Sequence, residues 1–303
     1  MFMTQGPSEE PEPRGARLPP MDTIAVLGMG LLGRGFALNL LDKGHAVRVW
    51  NRTASRAEPI GEAGATVASS PAEAVAGAKR VHLVLEADEA VDAVIEALRP
   101  SLTEGTFIVD HSTNLPAKVA ERYARLRAAG LRYLHAPVFM GPQNSREATG
   151  LMLLSGPAAE ETTLRPALET MTGRVLYLGA EADKAAKIKI TGNGMLVMLT
   201  AAMGDLFTMG AASGVGHQEI LALFEQFAPS PAGMGKRAIG ASRRDPPGFT
   251  MSMARKDVGL MLETAGNPDA LTLLPAVARA MDRAIADGRG KEDFTSLADP
   301  TRK

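Results

Sequence analysis

The sequence predicts an α/β protein in which a doubly wound parallel sheet is followed by an all-helical domain. From Thr23 to Gly179, short apolar runs rich in β-branched and aromatic residues alternate with stretches of helical spacing. That is the pattern of parallel strands buried under helices on both faces. Beyond Gly179 the runs give way to long stretches with a period near 3.6 residues, which predicts helices alone. The length of 303 residues exceeds what one small core organises and favours two domains. We expect a disordered leader over 1–20, a sheet domain over 21–182 and a helical domain over 183–303.

The elements follow in order. The leader, "MFMTQGPSEEPEPRGARLPP", is dense in Pro, Gly and charge and cannot bury an apolar face. Strands are expected at "TIAVLG" (23–28), "AVRVWN" (46–51), "RVHLVLE" (80–86), "GTFIVDHS" (105–112) and "LRYLHAPV" (131–138), with two more at "GLMLLSG" (150–156) and "RVLYLG" (174–179). Helical spacing fills 33–42, 70–77, 87–98 and 116–129, several of these stretches opened by a Ser, Asp or Pro suited to a helix start. In the second half, one helix is expected to begin near Ala182 and run past Gly214, despite the helix-weakening Gly192, Gly194, Gly204 and Gly210.

Composition narrows the classes of function. A net charge of −1 offers no basic field for nucleic acid or anionic lipid, so small-molecule work is favoured. The absence of cysteine removes disulfides and thiolate chemistry, and fits a reducing cytoplasm. No uncharged apolar run reaches the roughly 18 to 20 residues of a membrane span. The histidines His45, His82, His111, His135 and His217 show no metal-ligand spacing, and no metal is expected. The methionines frequent in the helical half, Met195, Met198, Met203, Met209, Met251, Met253 and Met261, are expected as adaptable core, with some lining a pocket or an interface.

The best-placed motif is Gly28-Met29-Gly30-Leu31-Leu32-Gly33, directly after the first strand and opening the first helix. Its first glycine permits the tight turn, its second lets backbone approach a pyrophosphate, and its third lets helix pack on strand. The helix N-terminus then offers N–H groups to the phosphates. This makes the sheet domain Rossmann-type. Where an acidic residue at the end of the second strand would select NADH, the chain reads Asn51-Arg52-Thr53, with Arg56 one helical step further. Two guanidinium groups and a hydroxyl suit a 2'-phosphate, so NADPH is favoured.

With "GMGLLG", "NRT", "DHSTNLPA", "HAPVFMG" and "KITGN" in this order, the chain resembles the β-hydroxyacid dehydrogenase family over Met21 to about Ala298. That family includes 3-hydroxyisobutyrate dehydrogenases and glyoxylate or succinic semialdehyde reductases, with an NADP-binding domain of the 6-phosphogluconate dehydrogenase type. The resemblance implies hydride transfer between NADP(H) and a short hydroxy acid, and a homodimer formed through the helical domain. It implies cofactor contacts from Leu85, Glu86 and Thr113. It also implies that Lys256, followed by Asp257, closes over the cofactor. Where the family carries a Ser-Gly-Gly substrate loop, this chain reads Phe139-Met140-Gly141, and the residue before "APV" is His135 rather than aspartate. The Phe-Met pair reads either as packing or as a more hydrophobic substrate pocket.

The stretch "KAAKIKITGN" holds three lysines in six residues. At roughly 100° per residue, Lys184 and Lys187 share one side of a helix and Lys189 projects well away. Lys184 follows Glu181 by three positions and Lys187 follows Asp183 by four, spacings suited to surface ion pairs. Lys189 is flanked by Ala185, Ala186, Gly192 and Leu196, with Asn193 one turn on. Reducing a carbonyl leaves an alkoxide that needs a proton, and a partly desolvated lysine can supply it. The family pattern of a lysine followed four residues later by an asparagine also selects Lys189 and Asn193 as the catalytic pair. The leading expectation is an NADPH-dependent reductase of a small aldehyde or keto acid. An imine reductase of the same architecture is the alternative within enzymes, and a non-catalytic NADPH-binding scaffold the alternative outside them.

Overall fold

Parallel pairing of apolar strands sets the frame of the sheet domain. The computed structural model describes residues 22–227 and 229–301, so the expected leader lies outside the described residues. Six strands, β1 (Thr23–Leu27), β2 (Ala46–Trp50), β3 (Thr66–Val67), β4 (Arg80–Leu83), β5 (Phe107–Asp110) and β6 (Arg132–His135), form one parallel sheet in the order β3-β2-β1-β4-β5-β6. Crossovers pass through α1 (Leu31–Asp42), α2 (Glu58–Glu62), α3 (Pro71–Val75), α4 (Asp88–Leu98) and α5 (Pro116–Ala128). Order reverses between β1 and β4, the place where such sheets open a crevice at the carboxyl ends of their strands. Alternate residues of β1 feed opposite layers: Ile24 and Val26 join Phe36 and Leu40 of α1, while Ala25 and Leu27 join Val91 and Ile95 of α4.

The expected strand 131–138 is two strands. Pro137 has no N–H to continue a ladder, and after it β7 (Val138–Phe139) pairs antiparallel with β8 (Leu151–Leu154), leaving the main sheet. β8 in turn pairs parallel with β9 (Arg174–Tyr177), giving a second sheet of three strands. Two helices not anticipated from the sequence, α6 (Pro142–Glu147) and α7 (Ala158–Glu169), connect these strands. α7 carries Pro166 in its interior and the β-branched pair Thr162-Thr163, which weakens its helical signature.

The described chain divides into two compact units, one reaching to Gly192 and the other beginning at Asn193, and the division falls inside α8 (Lys184–Ala212). α8 ends at Ala212, short of the expected run past Gly214. Gly214 sits at φ +77°, in the left-handed region that closes helices, and the Val215 N–H returns to the Gly210 carbonyl at 2.8 Å. By length and composition α8 is apolar enough to cross a membrane, and 11% of its most apolar window is buried.

The second unit holds α9 (His217–Gln226), α10 (Pro231–Ala238), α11 (Met251–Ala265) and α12 (Leu274–Ala286). Its core is a layer of Met251, Ala254, Val258, Ala278, Met281 and Ala284 between α11 and α12. The buried Asp205 carboxylate of α8 accepts from the N–H groups of Thr272, Leu273 and Leu274 at 2.5 to 2.8 Å, capping α12. Met251 is buried, whereas Met195, Met198 and Met253 are exposed, so the methionines do not form one core stripe.

Candidate active site

The glycine-rich turn after β1 is built for close approach. Gly28 has φ +105°, and a Cβ there would meet the Val84 carbonyl oxygen at 2.2 Å. At Gly33 a Cβ would fall 1.8 Å from the Gly28 carbonyl oxygen, so helix and turn touch backbone to backbone. Gly30 differs, because an added Cβ would meet nothing of the protein. It is the N-cap of α1 and supplies no side-chain cap, so among the described residues the first N–H groups of the helix, including those of Leu31 and Leu32, are left without a capping side chain. Open space at Gly30 beside an uncapped helix N-terminus fits a dinucleotide pyrophosphate. Met29 is fully buried in the core, and its N–H is taken by Asn51 Oδ1 at 2.8 Å. The Asn51 amide also donates to the Thr53 carbonyl at 2.8 Å, so Asn51 ties the turn after β1 to the turn after β2.

At the end of β2, Arg52, Thr53 and Arg56 are exposed. Neither guanidinium has a carboxylate partner among the described residues. After β4, Leu85 is half-buried and Glu86 exposed. The Leu85 N–H donates to Ser112 Oγ at 3.0 Å, which joins the β4 loop to the β5 loop and leaves Thr113 exposed beside it.

Beneath this rim lies a buried polar layer that the sequence reading left unassigned. The fully buried Asp110 carboxylate accepts from the Ser112 N–H at 2.9 Å, from Asn114 Nδ2 at 2.8 Å and from the Tyr133 hydroxyl at 2.8 Å. Arg122, itself buried, reaches Asp88 at 2.8 Å and Asp92 at 2.9 Å. His135 contacts the Ser112 carbonyl through Nε2 at 3.0 Å, and His111 contacts the Ala136 carbonyl through Nδ1 at 2.7 Å. His111 Nε2 lies 2.9 Å from His82 Nδ1. The carbonyl makes His111 Nδ1 the protonated nitrogen, so its Nε2 accepts from His82 Nδ1–H and both rings are neutral. Burial pushes all three histidines below their usual range, His111 to about 4. The motif "DHSTN" was the available signal for Asp110, Ser112 and Asn114, since a short polar run ending a buried strand must be satisfied internally.

The three lysines at the start of α8 separate sharply. Lys184 and Lys187 pair with Glu181, and Lys187 also pairs with Asp183 at 3.0 Å. Lys189 is 8% exposed, and its ammonium donates to the Val138 carbonyl at 2.7 Å. The same nitrogen lies 3.9 Å above the centre of the Phe139 ring. Burial lowers its pKa from the ordinary lysine value. Met140 is half-buried against the core, and the Gly141 N–H is held by Asn144 Oδ1 at 2.8 Å. Asn193, one turn beyond Lys189, is half-buried and makes no side-chain hydrogen bond among the described residues. Lys256 lies on α11 in the second unit, exposed and 3.4 Å from Asp257.

A cavity of about 460 Å³ lined by Asp22, Lys79, Arg80, Gly105 and Thr106 sits at the amino ends of β1, β4 and β5. That is the edge opposite the crevice where sheets of this order bind ligands. Among the described residues no group of three or more His, Asp or Glu side chains is gathered to hold a metal.

Comparison with known proteins places these features in a family. Residues 23–179 match the NAD binding domain of 6-phosphogluconate dehydrogenase, and residues 184–301 match the NAD-binding domain of NADP-dependent 3-hydroxyisobutyrate dehydrogenase. The chain is 28% identical to an NAD-dependent L-serine dehydrogenase of Pseudomonas aeruginosa, over 93% of this chain and 99% of that one. It is 26% identical to glyoxylate/succinic semialdehyde reductase 1 of Arabidopsis thaliana, over 92% and 98%. Among solved structures it is similar in fold to an imine reductase from Myxococcus stipitatus in complex with NADP+, with a TM-score of 0.81, 20% identity, and 91% and 98% of the two chains covered.

Proposed function

Because the chain belongs to the β-hydroxyacid dehydrogenase family and is an NAD(P)-dependent oxidoreductase, we propose that it is an NADPH-dependent reductase of a small aldehyde or keto acid, with Lys189 as general acid. Run in reverse it is a 3- or 4-hydroxy acid dehydrogenase. The observation that carries this reading is the buried ammonium of Lys189. Among the lysines at the start of α8, it alone has no carboxylate partner, and burial brings its pKa towards the working range.

The dinucleotide, when bound, supplies the hydride. The chain's own residues do the rest. The turn from Gly28 to Gly33, with the open amides of α1, holds the pyrophosphate, and Arg52, Thr53 and Arg56 take the 2'-phosphate. Leu85, Glu86, Thr113 and Lys256 complete the cofactor contacts. As a carbonyl is reduced, Lys189 Nζ gives its proton to the developing alkoxide. In the reverse direction the neutral amine removes the hydroxyl proton. Asn193, on the same helix face one turn on, orients the substrate oxygen, and Phe139, Met140 and Gly141 form the wall beside it.

A second reading is an imine reductase, favoured by the apolar Phe139 in the substrate loop. A panel of aldehydes, keto acids and cyclic imines followed by NADPH absorbance separates the two. Consumption with aldehydes or keto acids is expected, and consumption with imines alone would reject the carbonyl reading.

The domain roles belong to the same proposal: a cofactor domain over 21–182 and a helical substrate and dimerisation domain over 183–303, in a cytoplasmic homodimer. Support for the dimer comes from α8, where Leu196, Val197 and Leu199 are 57%, 70% and 48% exposed. Large apolar side chains left exposed together on one helix favour cover by a second copy.

A further inference from the structure

A buried ammonium is expected to find a carboxylate, yet Lys189 finds a ring and a carbonyl. From β7 it receives the Val138 carbonyl oxygen at 2.7 Å and the face of Phe139 at 3.9 Å. Among the described residues no charged group on either element faces it, since Lys184 and Lys187 are turned to Glu181 and Asp183. The ring reaches this place because α8 has no side chain at Gly192. A Cβ there would lie 2.3 Å from Phe139 Cζ and 2.9 Å from Cε1. A glycine inside a helix is less favourable than alanine, and here its absent side chain is the seat of the ring.

We propose that Phe139 is a positioning residue for proton transfer: its ring face and the Val138 carbonyl together hold the Lys189 side chain in one direction and favour its protonated, proton-donating form. This rests on the reading of Lys189 as general acid. The physics is direct. A carbonyl oxygen only accepts, so it binds the ammonium more strongly than the amine. The negative face of an aromatic ring attracts the cation and is indifferent to the neutral amine. Both oppose the burial that pulls the lysine's pKa down. A hydroxyl-bearing serine at position 139 offers no ring face, so the aromatic residue replaces a contact to substrate with a contact to the proton donor.

The test titrates Lys189 in the cofactor-free protein by NMR of carbon-labelled lysine, the resonance being identified by its loss in Lys189→Ala. Phe139→Leu and Gly192→Ala should each lower the pKa by roughly half to one and a half pH units, and Phe139→Tyr should leave it in place. The limb of the kcat/KM pH profile assigned to Lys189 should move with it. Gly192→Ala displaces the ring while improving helix propensity, so it decides the matter should Phe139→Leu fail to fold. An unshifted titration in a cooperatively melting Gly192→Ala protein would overturn the inference, even where Lys189→Ala is inactive and the acid–base reading stands. Full turnover in Lys189→Ala would instead overturn that reading and the inference with it.

Discussion

At the end of β2, two guanidinium groups lie in solvent with no carboxylate partner among the described residues, where an NADH enzyme would place an acid. Each charge-assisted contact to a phosphate contributes about 1.5 to 3 kcal/mol, so Arg52→Asp should reduce the kcat/KM preference for NADPH over NADH by roughly 10- to 100-fold. An unchanged preference measured with both cofactors would remove the phosphate assignment. Phe139 carries a second residue-scale prediction. Phe139→Ser restores a hydroxyl to the substrate loop while removing the ring over Lys189, so it should lower KM for short carboxylate-bearing aldehydes without raising kcat, and an unchanged KM across such a series would mean that the loop does not touch substrate. The burial of Lys189 and the exposure of Lys187 follow from a 3.6-residue period that any helix wheel carries. The ring above the ammonium does not, because Phe139 and Lys189 are 50 positions apart and only the fold brings them together.

At the scale of elements, α8 leaves much of its apolar surface uncovered within a single chain. Its length and hydropathy meet the requirements of a membrane span, yet it starts from lysines paired with acids and carries the buried Asp205 that caps α12. We expect a second copy to cover Leu196, Val197 and Leu199. Light scattering of the purified protein should give twice the chain mass, and Val197→Glu should shift it towards monomer. A wild-type mass of one chain would contradict the dimer. Five of the six strands of the main sheet and the start of α8 were legible because each is a long or strongly periodic apolar pattern, whereas the two-residue β3 is too short to carry one. β7, α6 and α7 were not. The break at Pro137 redirects the chain into a second sheet, and that pairing is a long-range choice that local pattern does not carry. α6, over Pro142–Glu147, reads as a turn-rich polar segment, and it forms beside α1, where Asn39 Nδ2 holds the Arg146 carbonyl at 3.2 Å.

For the whole molecule, the buried histidines set the response to acid. His82, His111 and His135 are neutral in the fold, with pKa values depressed by burial, and they titrate near 6.5 in the unfolded chain. Below that value the unfolded state binds more protons, so stability is full above about pH 6.5 and falls as pH drops towards His111's folded value of about 4. Asp205, whose burial is outweighed by three N–H donors, is held below the usual carboxylate range and weakens the fold only at lower pH. Urea midpoints should therefore fall between pH 7 and pH 5, and equal midpoints would contradict neutral buried imidazoles. The spacing of these histidines in the chain carries no sign of the stacking of His82 on His111, which depends on the register of β4 against β5.

The central claim is that one lysine of three moves the proton. The most direct measurement is steady-state kcat with NADPH and a turned-over carbonyl for Lys189→Ala and Lys187→Ala side by side, with cofactor binding checked in each. A loss of about 10²- to 10⁴-fold is expected for Lys189→Ala and kcat near the wild-type value for Lys187→Ala. Equal effects of the two substitutions would contradict it.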